Sequence, residues 1–182
     1  MQVGARWLLF SYSVPKEPST VRVALWRRLR DLGAMYIGPC VCMLPETPEA
    51  ASQLSSCRKA AEDGGGTGRL IPLVVDDEET ERDLVAEFQA LRAAEYAEFR
   101  ERVEALLDEL RREGEGGKFT FAELEENEDE LEKLERWLKK IESRDVLKCA
   151  DHDHSVELLA QGRAALEEFR AATIRREVDL ET

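Results

Sequence analysis

WLLFSYSVPKEPSTVRVALWRRLRDLGAMYIGPCVCMLP, residues 7–45, reads as strand, proline-bounded loop, arginine-rich helix, glycine stop and two short strands. Trp7 to Tyr12 is a nearly continuous apolar and aromatic run, the pattern of a strand buried on both faces. Pro15 and Pro18 break it. Ser19 or Thr20 is placed to cap the helix, and Gly33 stands where a C′ glycine ends one. Gly38-Pro39 is a turn signal that divides Ala34 to Leu44 into two strands.

Working outward, Glu46 or Thr47 starts a second helix through Ala51, Leu54 and Cys57 to about Ala61, and the loop Gly64 to Gly68 ends it. Leu70 to Val75 reads as a strand with Pro72 inside, which confines it to a sheet edge because proline lacks the ladder N–H. The order strand–helix–strand–strand–helix–strand predicts a ferredoxin-like βαββαβ sheet domain. In that fold the fourth strand lies at an edge, in agreement with Pro72.

From Asp76 the texture changes. Val85, Phe88, Tyr96, Phe99, Val103, Leu106 and Leu110 recur mostly at three- and four-residue spacing, predicting a helix over about 78–112. Such a helix is about 50 Å long at 1.5 Å per residue. Glu115-Gly116-Gly117 interrupts it. Phe121, Leu124, Leu131, Leu134, Leu138 and Ile141 repeat at heptad-like spacing, and a third helix carries Val156, Leu159, Leu166, Phe169 and Ile174. The chain is therefore α+β: a ferredoxin-like sheet domain over 1–77, then an acidic appendage over 78–182 with a long helical hairpin and a third helix.

These elements resemble the N-terminal region of the chromate-resistance regulator family (ChrB). The resemblance rests on Trp7-Leu8-Leu9, the loop Pro15 to Pro18, Ser19-x-x-Arg22-x-x-x-Trp26-Arg27, Leu32-Gly33-Ala34 and Leu44-Pro45. The later stretch Leu134 to Asp145 is similar to the family's R-x-x-x-I-R-x-x-D helix end, although Asp145-Val146-Leu147 replaces the usual Asp-Phe-Phe. The resemblance implies a regulator that senses chromate and controls an export operon. The chain itself is expected to carry neither a winged helix before its first strand nor the family's C-terminal domain.

Charge is unevenly divided. Residues 1–77 hold nine Lys/Arg and eight Asp/Glu, whereas residues 78–182 hold seventeen and thirty-one, so the net −13 belongs to the second part. Phosphate binding needs cationic side chains, so any DNA contact has to come from the first. No run of eighteen apolar residues exists, which argues against a membrane span. Pro15 and Lys16 interrupt the N-terminus too early for a signal peptide, so the expected location is cytoplasmic, with the four cysteines reduced.

Three groups are candidates for chemistry. Val21, Leu25, Leu29 and Leu32 share one helix face with Trp26 at its border, and Arg27 and Arg30 point away. Arg28 lies on the other flank, and Arg22 falls near the apolar arc, where a half-buried guanidinium would need an acid or a strand carbonyl. Arg22, Arg27, Arg28 and Arg30 are the candidate DNA contacts, and an ordinary solvated face is the plainer alternative. Cys40 and Cys42, two apart on a strand, would share a face with Leu44, with Cys57 above them from the next helix. They can be read as a thiol sensor or as small core residues, in which case a thiol reagent labels at most Cys149 quickly.

Cys149, Asp151, His152 and His154 offer S, N and O ligands for a divalent metal within one short segment. The alternative is a polar loop with a helix N-cap before Val156. Arg69 follows the glycine loop, which therefore fails as a phosphate loop, and Ser11-Tyr12-Ser13 supplies no carboxylate for a nuclease. No enzyme and no cofactor are expected. A homodimer is, because open sheet edges and apolar helix seams require cover. The partners then expected are a second copy, promoter DNA or a separate regulator domain.

Overall fold

In the computed structural model, which describes residues 6–17 and 20–180, the opening apolar run lies in β1 (Arg6–Ser13), a central strand. Pro18 and Ser19, expected as breaker and cap, fall outside the described residues. There follow α1 (Thr20–Asp31), β2 (Met35–Gly38), β3 (Val41–Pro45), α2 (Pro48–Asp63) and β4 (Thr67–Val74). The strands form one antiparallel sheet in the order β2-β3-β1-β4, the ferredoxin-like arrangement. β4 starts at Thr67, three residues before the expected Leu70, because its ladder with β1 continues to Ser13↔Thr67. Pro72 pairs with Leu8 on this edge strand, where only one side needs donors.

Successive residues of β1 point to opposite faces, and both faces are covered. Leu8, Phe10 and Tyr12 lie on one, Trp7 on the other, and all four are buried. Leu25 and Leu29 of α1 and Leu54, Cys57 and Ala61 of α2 complete the core of this unit. Thr47 caps α2 by accepting from Ala50 N at 3.0 Å. Gly33 has φ 72° and ends α1, with Ala34 N donating to Leu29 O at 3.0 Å. The chain divides into two compact units between Leu91 and Arg92. The first therefore keeps the opening turns of α3 (Glu78–Glu115), whose Phe88 meets Trp7 edge-on at 6.1 Å.

The second unit holds the rest of α3 with α4 (Phe121–Arg144) and α5 (Asp151–Leu180). Gly117, at φ 65°, makes the break between α3 and α4. Its core joins Tyr96, Phe99, Val103 and Leu106 to Leu134, Leu138 and Ile141 and to Leu159, Leu166 and Phe169. Three expected core residues are instead exposed: Phe121, Val156 and Ile174. The buried seam of α5 runs Ser155, Leu159, Gly162, Leu166, Phe169 and Thr173, a strict alternation of four and three. Small and polar side chains occupy half of it, which displaces the apolar register read from Val156 and Ile174. On α4 the seam position between Leu124 and Leu131 is Asn127, which donates to Glu113 Oε2 of α3 at 2.8 Å. Among the described residues no helix is long and apolar enough to cross a membrane.

Candidate functional site

On α1, Leu25 and Leu29 are buried while Arg22, Arg27, Arg28 and Arg30 are all exposed. Arg22 thus corrects the half-buried reading. It sits on the flank of the apolar arc, and its long stem carries the charge out to water. Trp26, expected at the border of the buried face, is 45% exposed. Its ring supports the Arg30 guanidinium, 4.8 Å from the ring centroid. The i, i+4 spacing of Trp26 and Arg30 was the available signal for that contact. Arg28 faces the other way, lining a cleft of about 330 Å³ between α1 and α2 with Val21, Leu25, Ala60 and Asp63. The four arginines are therefore not one patch: Arg27 and Arg30 face outward, and Arg22 and Arg28 occupy the flanks.

The thiols gather differently from the expected strand alternation. Cys40 is not on a strand but in the β2–β3 turn, with φ 59°, and its carbonyl accepts from Tyr12 N at 3.0 Å. Its thiol still interacts with the Tyr12 hydroxyl, which lies 3.4 Å from that of Tyr36. Cys42 and Cys57 are buried close to one another. Burial, and then the neighbouring Cys57, push the Cys42 thiol up to about 12. Burial raises Cys57 as well, against a lowering by Arg28. Neither supplies thiolate at neutral pH, so both act as small core side chains. Cys149 is buried and also raised by burial, and Cys40 is the half-buried thiol, which reverses the expected order of accessibility.

The segment Cys149 to His154 is largely helical rather than a loop, since α5 begins at Asp151. Asp145, just after α4, anchors it: its carboxylate accepts from Cys149 N at 2.9 and 3.0 Å and from Tyr96 Oη at 3.1 Å. Burial, and then Asp145, raise the Tyr96 phenol well above its ordinary value. Asp151 pairs with Arg100 at 2.9 Å. His152 lies between Glu142, 3.0 Å from Nε2, and Asp153, 2.8 Å from Nδ1, and these contacts raise its pKa. Tyr96, Glu142, Lys148 and His152 help line a cavity of about 580 Å³ here. Of the four metal-ligand candidates, Cys149, Asp151 and His152 are engaged with protein partners and His154 is exposed. Among the described residues no group of three or more His, Cys, Asp or Glu side chains converges as ligands.

The end of α4 that carries this anchor lies within a stretch shared with known proteins. The family model described as "Protein ChrB, N-terminal" matches residues 22–179, from α1 to the end of α5. The chain belongs to the ChrB N-terminal family. Protein ChrB of Cupriavidus metallidurans is 33% identical over 96 residues, which is 51% of this chain and 28% of that protein. The chain is thus matched to less than a third of that relative's length. The ChrB match includes Arg22 to Arg30 and Leu134 to Asp145, while Trp7-Leu8-Leu9 precedes it. In that later stretch Arg144 pairs with Glu95 at 3.3 Å, and Arg92 pairs with the same Glu95 at 3.1 Å. The α4 end that resembles the family motif thereby ties α4 to α3 as well as to α5.

Proposed function

We propose that this chain is a non-enzymatic regulatory or assembly module in the control of chromate resistance. It works in the cytoplasm, self-associates as a homodimer, and contacts promoter DNA or a separate regulator domain. The observation that carries this reading is the outward face of α1, where Arg27 and Arg30 stand exposed with Trp26 as the platform for Arg30. Guanidinium groups suit phosphate oxygens, and the face lies in the part of the chain whose charges nearly balance. The raised thiols and the engaged Cys149, Asp151 and His152 side chains favour this reading over a redox- or metal-responsive one.

The test is a gel-shift with DNA from the gene's own upstream region, repeated over a range of salt. Arg27→Gln together with Arg30→Gln should weaken binding and leave the fold intact. Each lost phosphate contact should flatten the slope of log affinity against log salt by about 0.9. Binding with an unchanged slope would make the cluster a solvated face. Absence of salt-dependent binding by the wild type would remove DNA from the reading and leave the assembly module.

A further inference from the structure

Two exposed helical faces, one in each unit, carry opposite charges beside an aromatic side chain. On α1, Val23, Trp26, Arg27 and Arg30 fall at i, i+3, i+4 and i+7 and so share one side. Arg22 and Arg27 have no carboxylate partner among the described residues. On α4, Phe121, Glu125, Asp129 and Glu132 fall at i, i+4, i+8 and i+11, again one side. Phe121 is 55% exposed, and residues 121–132 contain seven acids and no Lys or Arg. Glu125 and Asp129 have no ion-pair partner among the described residues.

We infer that the α1 face of one copy docks on the α4 stripe of a second copy. Arg27 and Arg30 meet Glu125 and Asp129, while Trp26 and Phe121 supply apolar contact. Glu132 already pairs with Arg136, whereas Arg27, Glu125 and Asp129 are exposed with no ion-pair partner among the described residues. Aromatic and arginine side chains together are the types enriched where protein surfaces bind. Two chains of −13 repel at long range, but that field is screened beyond about 10 Å at 0.1 M salt while the local pairs are not. Exposed ion pairs are individually weak, so the contact gains from several pairs acting together with the two aromatic side chains. The α4 carboxylates would then occupy the arginines that DNA phosphates would otherwise use, so dimerisation and DNA contact through α1 are alternatives. This inference rests on the reading of the chain as a self-associating module and names the surface that associates.

Sedimentation velocity of the full chain and two charge-swapped variants tests it. The double variant Arg27→Glu/Arg30→Glu and the double variant Glu125→Lys/Asp129→Lys should each raise the dimer dissociation constant on the order of tenfold or more. An equal mixture should dimerise again, because both contacts in a mixed pair are then complementary. All four positions are exposed, and circular dichroism of each variant should match the wild type. Swapped variants that dimerise like the wild type, or a mixture that stays monomeric, would overturn the docking and leave self-association standing. A wild type that is monomeric at micromolar concentration would overturn both. DNA that displaces the second copy would support a shared α1 face, whereas DNA bound without dissociating the dimer would overturn the assignment of α1.

Discussion

The Tyr96 hydroxyl donates to Asp145 Oδ2 at 3.1 Å across 49 residues of sequence, and the same carboxylate accepts from Cys149 N. One side chain therefore joins the middle of α3 to the corner between α4 and α5.

Removing that carboxylate should be costly. Asp145→Ala leaves the Tyr96 hydroxyl and the Cys149 N–H without their acceptor, and each buried donor so stranded costs about 1–3 kcal/mol. Tyr96→Phe removes one donor along with its need and should cost about 1 kcal/mol. Urea unfolding monitored by far-ultraviolet circular dichroism should rank wild type, Tyr96→Phe and Asp145→Ala in falling stability. Equal midpoints for the two variants would contradict the anchoring role.

Glu113 is buried, and its pKa is raised first by burial and then by the neighbouring Glu123 and Glu109, against a lowering by Asn127. A carboxyl with a raised folded pKa binds its proton more tightly in the folded state. Stability should therefore fall as pH rises from the unfolded value of about 4.3 through the folded pKa. Glu113→Gln keeps an oxygen for Asn127 Nδ2 and removes the charge. It should stabilise the protein at pH 7 and flatten this dependence, as read from unfolding midpoints between about pH 4 and 7.

Under native conditions a maleimide should label Cys40 first, since Cys42, Cys57 and Cys149 are buried and their thiols raised. Peptide mapping after short exposure reads the order directly. Early modification of Cys42 or Cys57 would show that the sheet core opens far more readily than its packing implies.

Gly66 and Gly38 should respond oppositely to alanine. A Cβ on Gly66 would lie 2.1 Å from the backbone oxygen of Ser13, whereas one on Gly38 would have nothing within 4 Å. Gly66→Ala should lose about 3 kcal/mol or fail to fold, because backbone on both sides of the clash has to move. Gly38→Ala should change the thermal midpoint little.

Much of the sheet unit is legible locally. The unbroken run Trp7 to Tyr12 requires cover on both faces and so a central strand, Pro72 assigns its strand to an edge, and Gly33 ends a helix. Cys40 was not legible in this way, because one left-handed residue in a turn cancels the two-residue alternation on which its placement relied. Trp26 is placed by its spacing at the border of the apolar face, but its role there was not legible. An aromatic beside an apolar arc does not reveal that an arginine one turn later lies over its ring.

In the helical unit the sequence by itself determined that there would be helices, roughly where they break, and that apolar side chains at three- and four-residue spacing would hold them together. Only the tertiary structure decided which stripe faces inward, because Asn127, Ser155, Gly162 and Thr173 take seam positions that an apolar count passes over. Asn127 is satisfied by Glu113 on another helix, Ser155 and Thr173 donate to the carbonyls of Asp151 and Phe169 one turn earlier, and Gly162 lies close beside Val103. Periodicity is a property of neighbours along the chain. Asn127 instead depends on a neighbour in space, because its Glu113 partner is supplied only when the helices meet.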